Sequence, residues 1–182
     1  MQNSTTAQTS GFQNCPVLGV GLGFRREFYE ETLQSKQLLD WLEVTPENHM
    51  ALGGESHKMI EDALPLFPLV SHGVSLSIGG TDDWDKTYLK DLKAFFDWIN
   101  PPWFSDHLSF ARHQGVYLHD LIPLPATQDV VTHVADRIHF LQDYFQRPVL
   151  IENVSYYLTY PQSTLEDADF LTAILEKSDC GL

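Results

Sequence analysis

The stretch "LIENVSYY" (residues 150–157) decides the fold. It opens as a buried strand, because Val149, Leu150 and Ile151 form a short apolar run after Pro148. Glu152 and Asn153 then follow with no turn residue before them. A carboxylate is rarely buried unless it is paired or bound to a metal. A core strand that runs straight into one is a strand leaving the core at a site.

Outward from this stretch, strands and helices alternate. Apolar runs mark strands near 18–24, 41–44, 103–110 and 148–155, and 68–80 reads as a strand leading into a Gly- and Ser-rich loop. Helical spacing of apolar residues covers 26–41, 55–67, 85–100, 128–145 and 165–178. The segment "ARHQGVYLHDLIPLPAT" (111–127) reads as a long polar and proline-rich loop, and a next strand is due at Gly181-Leu182. These are five βα units whose strands are apolar on both faces, the pattern of a parallel sheet covered by helices. Repeated units of this kind build either a doubly wound sheet or a (β/α)8 TIM barrel. "GVGLGF" (19–24) lacks the third glycine of a dinucleotide-binding turn. Each strand from the second onward ends in a polar residue, namely Glu43, His72, His107 and Glu152. A barrel places its site at these strand ends. The fold class is therefore α/β, with about the first five βα units of a TIM barrel over 18–182, ending before strand six. Residues 1–17 are expected to form a disordered, polar N-terminal tail.

Composition narrows the function. The chain has 182 residues, 43% of them hydrophobic, so it can bury a core. Its formal net charge of −14 argues against a nucleic-acid or anionic-membrane partner, since either needs a basic patch. No apolar run approaches the roughly 18 residues of a membrane span. "MQNSTTAQTSGFQN" (1–14) has neither a basic nor an apolar region and does not read as a signal peptide. Cys15 and Cys180 lack metal-type spacing and read as free thiols in a reducing, cytoplasmic setting, with one long-range disulfide as the alternative.

His72, His107 and Glu152 at neighbouring strand exits form a donor set that suits non-heme iron or another divalent metal. Asp106 is adjacent to His107, and neighbouring strand residues point to opposite faces. One of the two enters the mouth, and His107 is taken as the ligand; Asp106 then orients an imidazole or caps a turn. Asn153 faces the same objection beside Glu152 and is expected as a loop anchor or substrate contact. Glu43 and the Glu47-Asn48 pair are candidates to support the ligands, and a proline turn capped by Asn48 is the other reading. His119 and Asp120, in the long loop, are candidates to touch substrate. His133 and His139 are expected to face solvent. "DDWD" (82–85) lacks the glycine and distal glutamate of a calcium loop and reads as a solvated helix start. No catalytic general base is identifiable.

Six segments in order carry a resemblance: "GVGLGFR", "LEVTPENHM", "HGVSLSIGG", "SDHLSF", "LHDLIPLP" and "IENVSYY". Together, from about Gly19 to the last residue, they resemble the multinuclear non-heme iron-dependent oxidases. This family, formerly a domain of unknown function, includes relatives of the methanobactin-making oxidase. The resemblance implies a xylose-isomerase-like barrel and a cofactor of two or three iron ions. It also implies dioxygen-dependent modification of cysteine or nearby residues in ribosomally synthesised precursor peptides, often with a partner protein that presents the peptide. It places His72, His107 and Glu152 on metal ligands, with Glu152 shared between irons. The family's later ligands belong to the second half of the barrel and lie outside this sequence. Two alternatives stand beside the oxidase: an inactive truncated fragment, and a divalent-metal isomerase or hydrolase on the related barrel. A sheet of five strands also leaves two open edges, through which the chain is expected to self-associate.

Overall fold

A computed structural model describes residues 15–50 and 53–182. Most of the N-terminal tail expected over 1–17 lies outside the described residues. Five strands form one parallel sheet: β1 (Gly21–Gly23), β2 (Trp41–Val44), β3 (Leu69–His72), β4 (Phe104–His107) and β7 (Val149–Glu152). Their order, β1-β2-β3-β4-β7, follows the chain, as in successive staves of a barrel. Between them run α1 (Tyr29–Gln34), α2 (Gly54–Ala63), α3 (Lys86–Ile99) and α4 (Gln128–Phe145), and α5 (Asp167–Ser178) follows β7. Gly181 begins a further parallel rung: its N–H donates to the Val149 carbonyl at 3.0 Å, and its own carbonyl accepts from Ile151 N at 2.9 Å. A sixth strand is thus started where the sequence places it.

The helices form where apolar spacing and caps agree. Asp85 accepts hydrogen bonds from Thr87 N and Tyr88 N and so starts α3, while Asn100 ends it in the left-handed conformation just before Pro101. Thr127 caps α4 through Val130 N. Both helices press apolar faces onto the sheet. Phe96 of α3, Phe104 of β4 and Phe145 of α4 pack with ring centroids 4.9–5.0 Å apart. Leu42, Val44, Val149 and Ile151 join the same core. Alternate residues in β2 and β7 are less buried, so these strands have one helix-covered face and one open, concave face. The expectation of strands apolar on both faces is corrected accordingly. The concave face carries Glu43, Ser105 and Glu152, whose polar groups need access to solvent or to a ligand.

Further expectations change. The helix over 26–41 is shorter: a 3-10 turn (Arg26–Phe28) precedes α1, which ends where the Ser35 hydroxyl donates to the Glu31 carbonyl. The loop over 111–127 contains an antiparallel hairpin, β5 (Phe110–His113) with β6 (Val116–Ile122). Gln114 and Gly115 both adopt positive φ (50° and 76°), the geometry of a two-residue hairpin turn. Asp82 accepts from Gln114 N and Gly115 N at 2.9 and 2.8 Å and so fastens this turn, while Asp83 and Asp85 are exposed and Asp85 starts α3. His133 is half-buried, with Nε2 2.9 Å from the Gly80 carbonyl, because α4 lies against the loop after β3.

Candidate metal centre

Register alone dictates which side chains meet. In parallel strands, directly paired residues share a face, and residues two apart along a strand share it as well. His72 pairs with Ser105, and His107 pairs with Glu152. Ser105 and His107 are two apart on β4. All four therefore project from the concave face at the C-terminal ends of β3, β4 and β7. Glu43 pairs with Val70 and shares this face, one rung deeper than His72.

The geometry follows. His72 Nε2 lies 3.3 Å from Glu152 Oε2, and His107 Nε2 lies 3.8 Å from Glu152 Oε1. The imidazole centroids are 4.8 Å apart in an edge-on arrangement. Among the described residues, His72, His107 and Glu152 are the group of His, Cys, Asp and Glu whose ligating atoms all fall within 4.8 Å of one another. Burial, and then the neighbouring His72 ring, hold the His107 imidazole below its ordinary pKa, with Glu152 opposing. A neutral imidazole is the form that donates a lone pair to a metal. Two imidazoles and one carboxylate give a mixed nitrogen and oxygen donor set with one negative charge, and these residues fit a divalent cation such as iron.

Behind the cluster a buried network fixes the loop after β3. Asp106 is fully buried on the opposite side of β4. It accepts from Leu76 N at 3.2 Å and from its neighbour His107 N at 2.7 Å. Its Oδ1 is 3.9 Å from His107 Nδ1, too far for a hydrogen bond. A Cβ on Gly73 would come within 2.7 Å of Asp106 Oδ2, so a larger residue there would have to displace the buried carboxylate. Burial and the nearby Glu47 charge push the Asp106 carboxyl up to about 8, against the N–H groups that favour its ionised form. Glu47 accepts from Val74 N at 3.0 Å and from the Tyr88 hydroxyl at 2.6 Å. Burial is also the main cause that raises the Tyr88 hydroxyl.

The other sequence candidates are dispersed. Glu43 is half-buried and outside the cluster. Asn48 is exposed at the end of a 3-10 turn (Pro46–Asn48). Asn153 is exposed and lines a cavity of about 560 Å³ with Leu108, Leu124, Tyr156, Tyr160 and Phe170. His119 is exposed on β6 against Tyr117, and Asp120 accepts from the Tyr157 hydroxyl at 2.8 Å. Cys15 and Cys180 are both free thiols. Sequence reasoning missed Ser105 and Tyr88. The two-residue periodicity of "SDH" already put Ser105 on the face of His107, whereas nothing local marks Tyr88, which reaches Glu47 only through the packing of α3. Among the described residues no helix is long and apolar enough to cross a membrane.

Comparisons with known proteins concern the fold and the family. Two solved barrels share the fold. A D-allulose 3-epimerase from Methylomonas sp. superposes with a TM-score of 0.57 at 10% identity, over 90% of this chain and 60% of that one. An L-ribulose 3-epimerase gives 0.53 at 15% identity, over 87% and 56%. At such identities the likeness concerns the fold alone, a xylose-isomerase-like TIM barrel. Among curated sequences, a UPF0276 protein of Haemophilus influenzae is 42% identical over 166 residues, covering 90% of this chain and 54% of the relative. A UPF0276 protein of Pasteurella multocida is 40% identical with the same coverage. The chain thus spans a little over half the length of these relatives. A family model described as RiPP precursor modification enzyme MbnB/TglH/ChrH matches residues 19–182. With nearly the whole chain matched, this protein belongs to the MbnB/TglH/ChrH family of RiPP precursor modification enzymes.

Proposed function

We propose that residues 18–182 form the first part of a cytoplasmic, iron-dependent oxidase that modifies a cysteine-containing precursor peptide. One observation carries the reading: three ligating side chains from three adjacent parallel strands bring their donor atoms within 4.8 Å of one another. In this reading His72, His107 and Glu152 hold an iron ion, and ligands outside this sequence complete a centre of two or three ions. When bound, iron supplies Lewis acidity toward the substrate thiol and the means to use dioxygen as oxidant. The chain supplies the rest. The two imidazoles would donate nitrogen lone pairs, and the Glu152 carboxylate would offset cationic charge. Leu108, buried directly after His107, lines the cavity beside Asn153. Asn153 and the cavity beside it stand where a peptide segment next to the reacting residue can lie, and His119 and Asp120 lie on the exposed hairpin as further contacts. A presenting protein would hold the remainder of the peptide.

The test is anaerobic titration with Fe(II), followed by metal analysis after gel filtration. His72→Ala, His107→Ala and Glu152→Ala should each lower retained iron by tenfold or more. Unchanged iron in all three removes the site assignment. For the oxidation, the full-length relative with dioxygen and a cysteine-containing precursor should change the mass of the peptide, and the same three substitutions should abolish the change.

A further inference from the structure

His72 and His107 are held differently. The Nδ1 atom of His72 lies 2.8 Å from the Ser105 hydroxyl, within hydrogen-bond distance. The Nδ1 atom of His107 is buried and meets no side-chain partner among the described residues; only the Gly73 backbone lies near enough to favour the charged ring. Ser105 meets His72 because the two are directly paired across β3 and β4, on the concave face. The bond is therefore built by the ladder and needs no loop.

We infer that Ser105 is the positioning residue of the site: its hydroxyl holds the His72 ring so that Nε2 faces His107 and Glu152. An imidazole can flip about χ2, which puts a carbon where each nitrogen stood, and a partner on Nδ1 removes that freedom. The inference rests on the proposed metal site for its consequence in binding, but its geometric content stands without metal. When Nε2 donates its lone pair, the ring proton resides on Nδ1 and is donated to Ser105 Oγ. Such partners behind a ligating histidine typically account for about 10- to 100-fold in metal affinity. His107 has no side-chain partner of this kind and keeps its orientation through packing and through the backbone of the anchored loop at Gly73. The two histidines then differ in robustness: one substitution at a serine that touches no metal disturbs His72 and leaves His107 in place.

The experiment compares Ser105→Ala and Ser105→Thr in the complete chain. The threonine variant keeps the hydroxyl and controls for folding, which circular dichroism checks in both. Zn(II) affinity, read by calorimetry, is expected to fall about 10- to 100-fold in Ser105→Ala and to stay within a few-fold in Ser105→Thr. Nitrogen-15 imidazole spectra of the metal-free chain supply a second readout. The His72 Nδ1 resonance should move in Ser105→Ala while the His107 resonances stay in place. An unmoved His72 resonance overturns the inference whatever metal does. An unchanged Zn(II) affinity in Ser105→Ala, where the three ligand variants lose it, overturns the role in binding. A moved resonance with no Zn(II) bound by wild type would leave Ser105 positioning His72 and would count against the proposed metal site instead.

Discussion

The imidazole of His72 and the carboxylate of Glu152 stand 3.3 Å apart although β4 lies between their strands. Neighbouring strands are spaced about 4.8 Å apart, so two steps separate their backbones by nearly 10 Å. Side chains on a concave face lean toward one another, and a histidine and a glutamate together span that gap. His107 rises from the strand between them. The site is thus a property of sheet curvature and register.

Metal should therefore stabilise the folded chain. A ligand that binds only the native state at about 100 times its dissociation constant adds about 2.7 kcal/mol. For a chain of this size that corresponds to a rise in melting temperature of roughly 5–10 °C. Scanning calorimetry with Zn(II) should show the shift in wild type and lose most of it in Glu152→Ala. An equal shift in both would place the metal elsewhere.

Asp106 should matter more for stability than for ligation. Asp106→Ala leaves the buried N–H groups of Leu76 and His107 without acceptors, each at a cost of about 1–3 kcal/mol. Urea denaturation should show a loss of about 2–5 kcal/mol. Asp106→Asn retains an acceptor oxygen and should lose less. If Asp106→Ala were fully stable yet bound no metal, Asp106 would be a ligand and His107 the wrong neighbour.

His49 predicts an acid-side weakness. Its ring is buried, stacks against Phe95 and bonds the Ser56 carbonyl through Nδ1 at 2.9 Å. Burial holds its pKa below the ordinary 6.5. Protonation therefore favours the unfolded chain. The contribution of the neutral ring is complete above about pH 6.5 and is lost as pH falls through the lowered folded value. Denaturation midpoints at pH 7.5 and 5.5 should diverge less in His49→Gln than in wild type. Equal divergence would remove His49 from the acid response.

The edge at β1 should make the chain self-associate. Leu22 in strand β1 and Val20 just before it are 48% and 66% exposed, and β1 pairs on one side with β2. Light scattering on the 182-residue chain should give a mass above 20.7 kDa that rises with concentration. Leu22→Lys should reduce it. A monomer at all concentrations would refute the expectation.

Much of this architecture is legible in the chain itself. The parallel units show because the longer helices have an apolar period, joined in α3 and α4 by a side-chain cap: α4 begins at Gln128 and ends at Phe145, as its spacing requires. His72, His107 and Glu152 stand out because polar residues terminating apolar strands are costly without a purpose. The hairpin was hidden because Gln114 in the left-handed region is an uncommon turn residue, and because β6 carries His119 and Asp120 in place of a clean apolar alternation. Ser105 and Tyr88 were hidden for a different reason: their partners, His72 and Glu47, are distant in sequence and meet them only through register and helix packing.

The bonds that join β4 to its two neighbours run close beside the donor atoms. Gly73 N donates to the Ser105 carbonyl, and Leu108 N donates to the Glu152 carbonyl, both at 2.8 Å. Opening the central strand would separate all three ligands together, so an occupied site and an opened ladder exclude each other. Hydrogen exchange at the amides of Gly73 and Leu108 would then report occupancy, slowing as the metal loads while helix ends remote from the mouth keep their rates. The breathing of one strand thereby becomes a gauge of how often the centre is intact.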